Sequence, residues 1–364
     1  MPRPDQVGTV RPYPPVHEAV AAVVRKVPAR TAVRTGTDAV TYRELDLWAG
    51  QIARRLTAAG VGRGDRVGVL VEPSPAMVAA ALGTLRAGAA YVPLDPSAPA
   101  DALDAALSGA AVRCVATRGT GTGTARPAGL GAVRLPVVEV EPYATLPVPA
   151  RGCAASAPAP DAPACVTAPG GPAVTHAELS AATAARRALC PGAPVLLPTQ
   201  PLTHGIAAAG LWATLTAGGR LILAAEEQTH QPGALAGLVE RHRVTQLLCT
   251  ADLFGELLEA TGRVGLHQLR TLDTVTLTTG PPPAHLMDRH TRLLGRSVAL
   301  VDATRYTTAP EAAATGPIGP IGPMVDADAD ARGRFGRPDA VVRRLARPVA
   351  RTRAGARPSR QGLS

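Results

Sequence analysis

The stretch LRAGAAYVPLDP, from Leu85 to Pro96, decides the fold. Gly88 sits where a helix ends and the chain must turn, and the apolar run that follows suits a buried strand stopped by Pro93 and Pro96. The residues before it complete the pattern. Pro75 to Ala87 has the spacing of a helix, and Arg66 to Val71 (RVGVLV) is a short β-branched run that suits another buried strand. Strand, helix and strand in this order are the βαβ rhythm of a parallel sheet, so the fold class expected is α/β.

The rhythm extends in both directions. Upstream, Ala19 to Val27 and Thr41 to Gly60 carry helical apolar spacing; Thr41 with Glu44 three residues later forms a capping box, and Gly60 closes the helix. Downstream, apolar runs at 112–116, 195–197, 220–223, 246–249, 274–277 and 298–301 alternate with helical segments at 176–189, 205–217, 232–243, 251–260 and 283–294. Two stretches interrupt the alternation. Residues 119–164 are rich in Gly, Thr, Pro and Ala and read as linker or irregular surface, and 316–331 repeats a GPI unit before alternating Asp with Ala.

A chain of 364 residues can bury a large core and suggests two or three structural units. Its 46% hydrophobic and 18% charged residues belong to a globular protein, but aromatics supply only 2%, so the core must be built from Ala, Val and Leu, with modest stability expected. The N-terminus lacks the apolar segment of a secretory signal, and the longest uncharged apolar stretch, about 205–217, falls short of the roughly 20 residues that cross a bilayer. A soluble cytoplasmic protein without a membrane partner is the expectation. Cys114, Cys153, Cys165, Cys190 and Cys249 include no CxxC pair and read as reduced structural thiols. Much of the net charge of +10 lies in ten Arg residues between Arg332 and Arg360, interleaved with Pro, Ala and Gly. This segment reads as a solvated, poorly ordered tail. Without aromatic platforms beside the arginines, a nucleic-acid partner is not expected.

Particular motifs carry a family resemblance. Thr41 to Leu45 (TYREL) resembles the first core motif of amino-acid adenylation domains of nonribosomal peptide synthetases, and Leu85 to Pro96 is nearly letter for letter the second. Val174 to Leu179, Ala217 to Leu223, Arg241 to Thr245, and Leu269 to Leu272 with Thr279 and Gly280 resemble later segments in the same order. Gly336 to Arg343 (GRPDAVVR) is similar to the hinge that precedes the small C-terminal domain, with Asp339 at the hinge position. The chain thus resembles the adenylate-forming (AMP-binding) ligases. The resemblance implies stacked α/β subdomains of the family's large N-terminal domain, with the small C-terminal domain missing. The boundaries expected are an extension over 1–15, an adenylation-like domain over 16–315, and a hinge remnant with the Arg-rich tail over 316–364.

The resemblance implies that a carboxylic or amino acid is activated as its acyl-adenylate, with ATP and Mg as cofactors and a carrier protein or synthetase subunit as partner. It also implies where the nucleotide would lie. The span Val166 to Val174 (VTAPGGPAV) takes the place of the phosphate-binding loop, keeps Gly170 and Gly171, has no Lys, and loses two N–H donors to Pro169 and Pro172. Thr279 and Gly280 fall on the adenine side. Near the usual YGxTE motif, Thr304 and Thr308 take the Tyr and Glu places without a gap; with a one-residue insertion, Tyr306 and Glu311 do, Glu311 then being the metal ligand. Both registers stay open, with Thr307 matched in the first. His204, in a PLxH pattern, corresponds to a pocket residue of relatives that activate acyl or aryl acids, while the Asp that pairs with an amino group has no counterpart. No catalytic Lys is available, because Lys26 is the chain's one lysine and precedes the first motif. The expectation is an adenylation scaffold that is catalytically impaired or inactive, a pseudoenzyme of secondary metabolism. The alternative is a noncatalytic interaction protein for a synthetase or carrier protein.

Overall fold

A computed structural model describes residues 13–36, 38–118, 135–143, 158–166, 171–189, 192–203, 205–295 and 298–302. All of them belong to one compact unit spanning Met1–Pro323. They form two largely parallel sheets. The first has seven strands in the order β13-β12-β11-β9-β10-β1-β2, and comprises β1 (Thr31–Arg34), β2 (Ala39–Thr41), β9 (Val195–Pro198), β10 (Arg220–Ile222), β11 (Gln246–Cys249), β12 (Thr274–Leu277) and β13 (Ala299–Asp302). The second has six strands in the order β6-β5-β3-β4-β7-β8, and comprises β3 (Arg66–Leu70), β4 (Ala90–Leu94), β5 (Cys114–Thr117), β6 (Val137–Glu139), β7 (Pro163–Cys165) and β8 (Val174–Thr175). Only β1–β2 and β7–β8 pair antiparallel.

The deciding stretch behaves as its residues require, with one correction. Helix α3 (Pro75–Arg86) ends in a pair of bonds, Gly88 N–H to Leu85 O at 3.2 Å and Ala89 N–H to Thr84 O at 3.2 Å, with Gly88 at φ +82°. This is a Schellman closure, which needs the left-handed conformation that glycine adopts without strain. The strand β4 does not stop at Pro93 but runs through it to Leu94. Tyr91 O accepts from Val166 N–H, so Tyr91 faces β7; by alternation the missing N–H of Pro93 also faces β7. The pairing with β7 is limited to Tyr91, so no ladder bond is lost at Pro93.

Helix α3 is buried along its whole length, which explains its lack of a polar face. It packs on α2 (Tyr42–Ala58), whose Leu45, Trp48, Ala49, Ile52 and Leu56 form one buried stripe. The capping box of α2 is complete: Thr41 Oγ1 accepts from Glu44 N–H at 3.2 Å, and Glu44 Oε2 accepts from Thr41 N–H at 2.8 Å. Such a cap contributes about 1 kcal/mol. The Arg86 guanidinium, nearly buried, pairs with the Asp46 carboxylate and also donates to Asp46 O at 2.7 Å, so the helix pair is joined by charge as well as by packing.

Helices α1 (Val16–Lys26), α5 (His176–Leu189) and α6 (Gly205–Thr216) complete the layer shared by the two sheets. Trp212 on α6 donates its indole N–H to the Tyr91 hydroxyl on β4 at 2.8 Å, and the Tyr42 hydroxyl lies 2.8 Å from Gly219 O. The first bond joins α6 to the six-stranded sheet and the second ties α2 to the turn before β10, in a core otherwise made mostly of Ala, Val and Leu. On the opposite face of the seven-stranded sheet, α8 (Pro232–His242), α9 (Ala251–Val264) and α10 (Ala284–Leu294) enclose a second core around Phe254, Leu257 and Leu277. The remaining helices are α4 (Ala100–Gly109) and the single turn α7 (Glu226–Thr229).

The stretch expected to be irregular, 119–164, contains β6 and the start of β7. Each has three residues, too few for a period to show in sequence; neighbouring strands supply their hydrogen bonds. β1 and β2, of four and three residues, are short in the same way. No helix among the described residues is long and apolar enough to cross a membrane. The tail and hinge, 316–364, lie outside the described residues.

Candidate functional site at the strand carboxyl ends

The four parallel strands β9, β11, β12 and β13 deliver their carboxyl ends to one edge of the seven-stranded sheet. From β9 the chain passes through α6 to β10 on one side, whereas from β11 it passes through α9 to β12 on the other. Because α6 and α9 lie on opposite faces, the connections leaving β9 and β11 diverge. A crevice opens at such a switch point, the usual ligand-binding position of an open parallel sheet.

Threonines line this edge. Thr199, after β9, donates both its N–H (2.8 Å) and its hydroxyl (3.1 Å) to Leu248 O. Thr250, after β11, caps α9 by accepting from Leu253 N–H at 3.2 Å. Thr278 N–H donates to Cys249 O at 3.0 Å, and Thr279 Oγ1 accepts from Ala251 N–H at 3.2 Å. The hydroxyls thus fasten each strand end to its neighbour or to the start of α9, and leave a rim of short polar side chains. Gly280 follows at φ +110° with open space where a Cβ would stand, so glycine is required there by backbone conformation rather than by crowding. Asp302, buried at the end of β13, closes the row.

The second part of the site is the hairpin from β7 to β8. Cys165 pairs with Val174, which brings the two ends of the 166–173 span side by side. Gly171 is half-buried within it. The chain then enters α5 through a second capping arrangement, in which Glu178 Oε2 accepts from Thr175 N–H at 2.8 Å and Thr175 Oγ1 accepts from Glu178 N–H at 3.2 Å. The Cys165 thiol is hydrogen-bonded to Tyr91, and burial pushes it up to about 12. Burial pushes the Cys114 thiol up to about 11 and raises Cys249 as well, so none of these three is a thiolate nucleophile near neutrality.

Of the residues expected at the site, the structure places Thr279 and Gly280 on the strand edge and Gly171 in the hairpin. Gly170, His204, Tyr306, Thr307, Glu311 and Asp339 lie outside the described residues. Thr199, Thr250 and Asp302 were not anticipated. The available signal was a Thr or Asp directly after, or closing, an apolar run, which has meaning only once the strands are known to be parallel. Lys26 is exposed in the last turn of α1. Among the described residues no group of three or more His, Cys, Asp or Glu side chains is arranged to hold a metal ion.

Comparison with known proteins gives this arrangement a context. The chain is 44% identical over 95 residues to gramicidin S synthase 2 of Brevibacillus brevis, a match covering 26% of this chain and 2% of that protein. It is 38% identical over 112 residues to tyrocidine synthase 2 of Brevibacillus parabrevis, covering 30% and 3%. The chain thus spans a small fraction of the curated relatives it matches. Among solved structures, the nonribosomal peptide synthetase FmoA3 in its AMPPNP-bound form superposes with a TM-score of 0.69 at 25% identity, over 80% of this chain and 31% of that one. VinN in complex with L-aspartate superposes with a TM-score of 0.68 at 19% identity, over 79% and 75%, a likeness of fold. The family model described as AMP-binding enzyme matches residues 20–305, which takes in both sheets, the β7–β8 hairpin and the threonine-lined edge. The chain therefore belongs to the AMP-binding enzyme family.

Proposed function

We propose that this chain keeps the acid-activating scaffold of its family, for a carboxylic or amino acid, while its use of ATP is lost or strongly impaired. The observation that carries the reading is the span Val166 to Val174 between β7 and β8. Its hairpin position supports a phosphate-facing role, yet it contains no lysine, and Pro169 and Pro172 lack N–H groups. The described residues fit the two halves of a nucleotide unequally. The strand edge offers Gly280 and the open space beside its backbone to a nucleoside. For the phosphates, the hairpin offers neither a lysine nor a full set of N–H donors, and the edge hydroxyls are engaged within the protein. No metal-holding group of side chains is present among the described residues.

Each missing charge-stabilising donor removes about 3 kcal/mol at the transition state, roughly a hundredfold in rate, and several together would be close to disabling. A second reading, a noncatalytic interaction protein for a carrier protein or synthetase subunit, is favoured by the retention of Leu85 to Pro96, whose residues serve packing rather than chemistry. An artificially fused adenylation–PCP di-domain from Klebsiella oxytoca is among the chains with the same fold, which makes a carrier protein the partner to test first.

Calorimetric titration with ATP, with and without magnesium, and ATP–pyrophosphate exchange over a panel of carboxylic and amino acids test the proposal. Weak or absent binding with no exchange is expected. Robust acid-dependent exchange by the purified chain would overturn it.

A further inference from the structure

One face of the seven-stranded sheet gathers positive charge that no ion pair among the described residues balances. Arg34 on β1 is the register partner of Ile222 on β10, and Arg220 lies two residues before Ile222 on that strand. The side-chain alternation of a strand therefore puts Arg34 and Arg220 on the face of Ile222, which belongs to the α8–α9 core. The end of α8 adds Arg241 and His242, and Arg220 Nη2 donates to His242 O at 2.7 Å. Arg30, just before β1, extends the group.

These residues feel one another. Burial, then Arg34 and Arg30, lower the Arg220 pKa, while burial, then Arg220, Arg34 and Arg241, lower that of His242. Among the described residues, the charged neighbours acting on the two groups are cations. Arg220 Nε is buried without a hydrogen-bond partner, and none of the five ion pairs among the described residues includes Arg30, Arg34, Arg220 or Arg241. Glu240, the nearest acid in sequence to His242, is turned to His267 at 3.6 Å. Arg34 and Arg220 are half-buried and Arg30 and Arg241 exposed; holding these like charges together raises the energy of the free protein, and an anionic partner would relieve it.

We propose that this face, Arg30, Arg34, Arg220 and Arg241 with His242, docks an acidic protein segment whose carboxylates supply the missing counter-charge. Arg30 and Arg34, both close enough to act on Arg220, make with it a cluster of like charge that one small oxyanion balances only in part. A segment carrying several carboxylates can meet both, and guanidinium groups are suited to bidentate carboxylate pairing. The inference is independent of nucleotide use.

The probe is a fluorescein-labelled Glu-rich peptide, with a Gln-rich peptide of equal length as the uncharged control, in fluorescence anisotropy with the full chain. Arg34→Glu combined with Arg241→Glu reverses charge on the face without touching the partly buried Arg220; Arg187→Glu, exposed at the end of α5, reverses the same sign elsewhere. Any contribution of the Arg-rich C-terminal segment is common to all these proteins. Salt-sensitive binding of the Glu peptide is expected, weakened by about tenfold or more in the double variant and by no more than about twofold in Arg187→Glu. Circular dichroism checks that the double variant is folded; if it is not, Arg241→Glu alone serves, with a loss of about threefold or more expected against the same control. Equal weakening by Arg187→Glu, equal affinity for the Gln peptide, unchanged binding by folded patch variants, or stronger patch-dependent binding of duplex DNA would each overturn the proposal.

Discussion

Acidification should loosen this protein through one pair of histidines. His17 on α1 and His176 at the start of α5 stand edge to face with ring centroids 6.0 Å apart, 1% and 3% exposed. No ring nitrogen of either has a hydrogen-bond partner. Burial first, then His176 and Arg86, lower the His17 pKa from 6.5 to about 4, and burial lowers that of His176. Arg86 is itself paired with Asp46. Both rings are neutral in the native state, so below pH ~6.5 the unfolded chain binds protons that the folded one refuses. The His17 contribution to stability is therefore complete above the unfolded pKa and is lost as pH falls from ~6.5 towards ~4, and that of His176 is lost in the same direction. For His17 alone, a shift from 6.5 to about 4 sets a limit of about 3 kcal/mol, of which about 2 kcal/mol is lost between pH 7 and pH 5. With a urea slope of about 3 kcal/mol/M this moves the unfolding midpoint by about 0.7 M. Urea denaturation of wild type and His17→Phe at both pH values isolates the contribution. The variant's midpoint is expected to fall less than the wild type's by that amount. An equal fall in the two proteins would refute the reasoning.

Two further substitutions test the packing that positions the site. A Cβ at Gly83 would stand 2.8 Å from Ala49 O and 2.9 Å from Ile52 Cβ, so Gly83→Ala should separate α2 from α3 and cost about 1–3 kcal/mol, read as a lowered thermal midpoint. Tyr91→Phe removes the oxygen that accepts from Trp212 and leaves a buried indole N–H without a partner, at a cost of about 1–3 kcal/mol in denaturant unfolding. The isosteric ring should leave the far-ultraviolet circular dichroism unchanged.

Much of the fold was legible because its signals are local. Thr41 and Glu44 lie within one helical turn, so their reciprocal bonds depend on little beyond the sequence between them. Gly88 marks the end of α3 through its own backbone freedom. The short strands were less visible. A three-residue segment such as Val137–Glu139 carries no period, and its strand character comes from pairing with Cys114–Thr117. Pro93 was misleading for a related reason: whether a missing N–H stops a strand depends on which neighbour that N–H would have faced. The candidate site was legible only in part. Thr279 and Gly280 could be found through their motif, whereas Thr199, Thr250 and Asp302 have no local pattern that separates them from other polar residues after apolar runs.

The sequence by itself determined the α/β alternation, the Thr41–Glu44 capping box, the turn at Gly88, the chain's single lysine and the motif from Leu85 to Pro96. These follow from backbone preference and side-chain chemistry within a few neighbouring residues. Tertiary structure alone decided that β9 and β11 send their chains to opposite faces of one sheet, that His17 meets His176, and that Arg34 and Arg220 share a face. Such juxtapositions join residues far apart in the chain. Their electrostatic and packing energies exist only once the strands are paired and water has been excluded from between them.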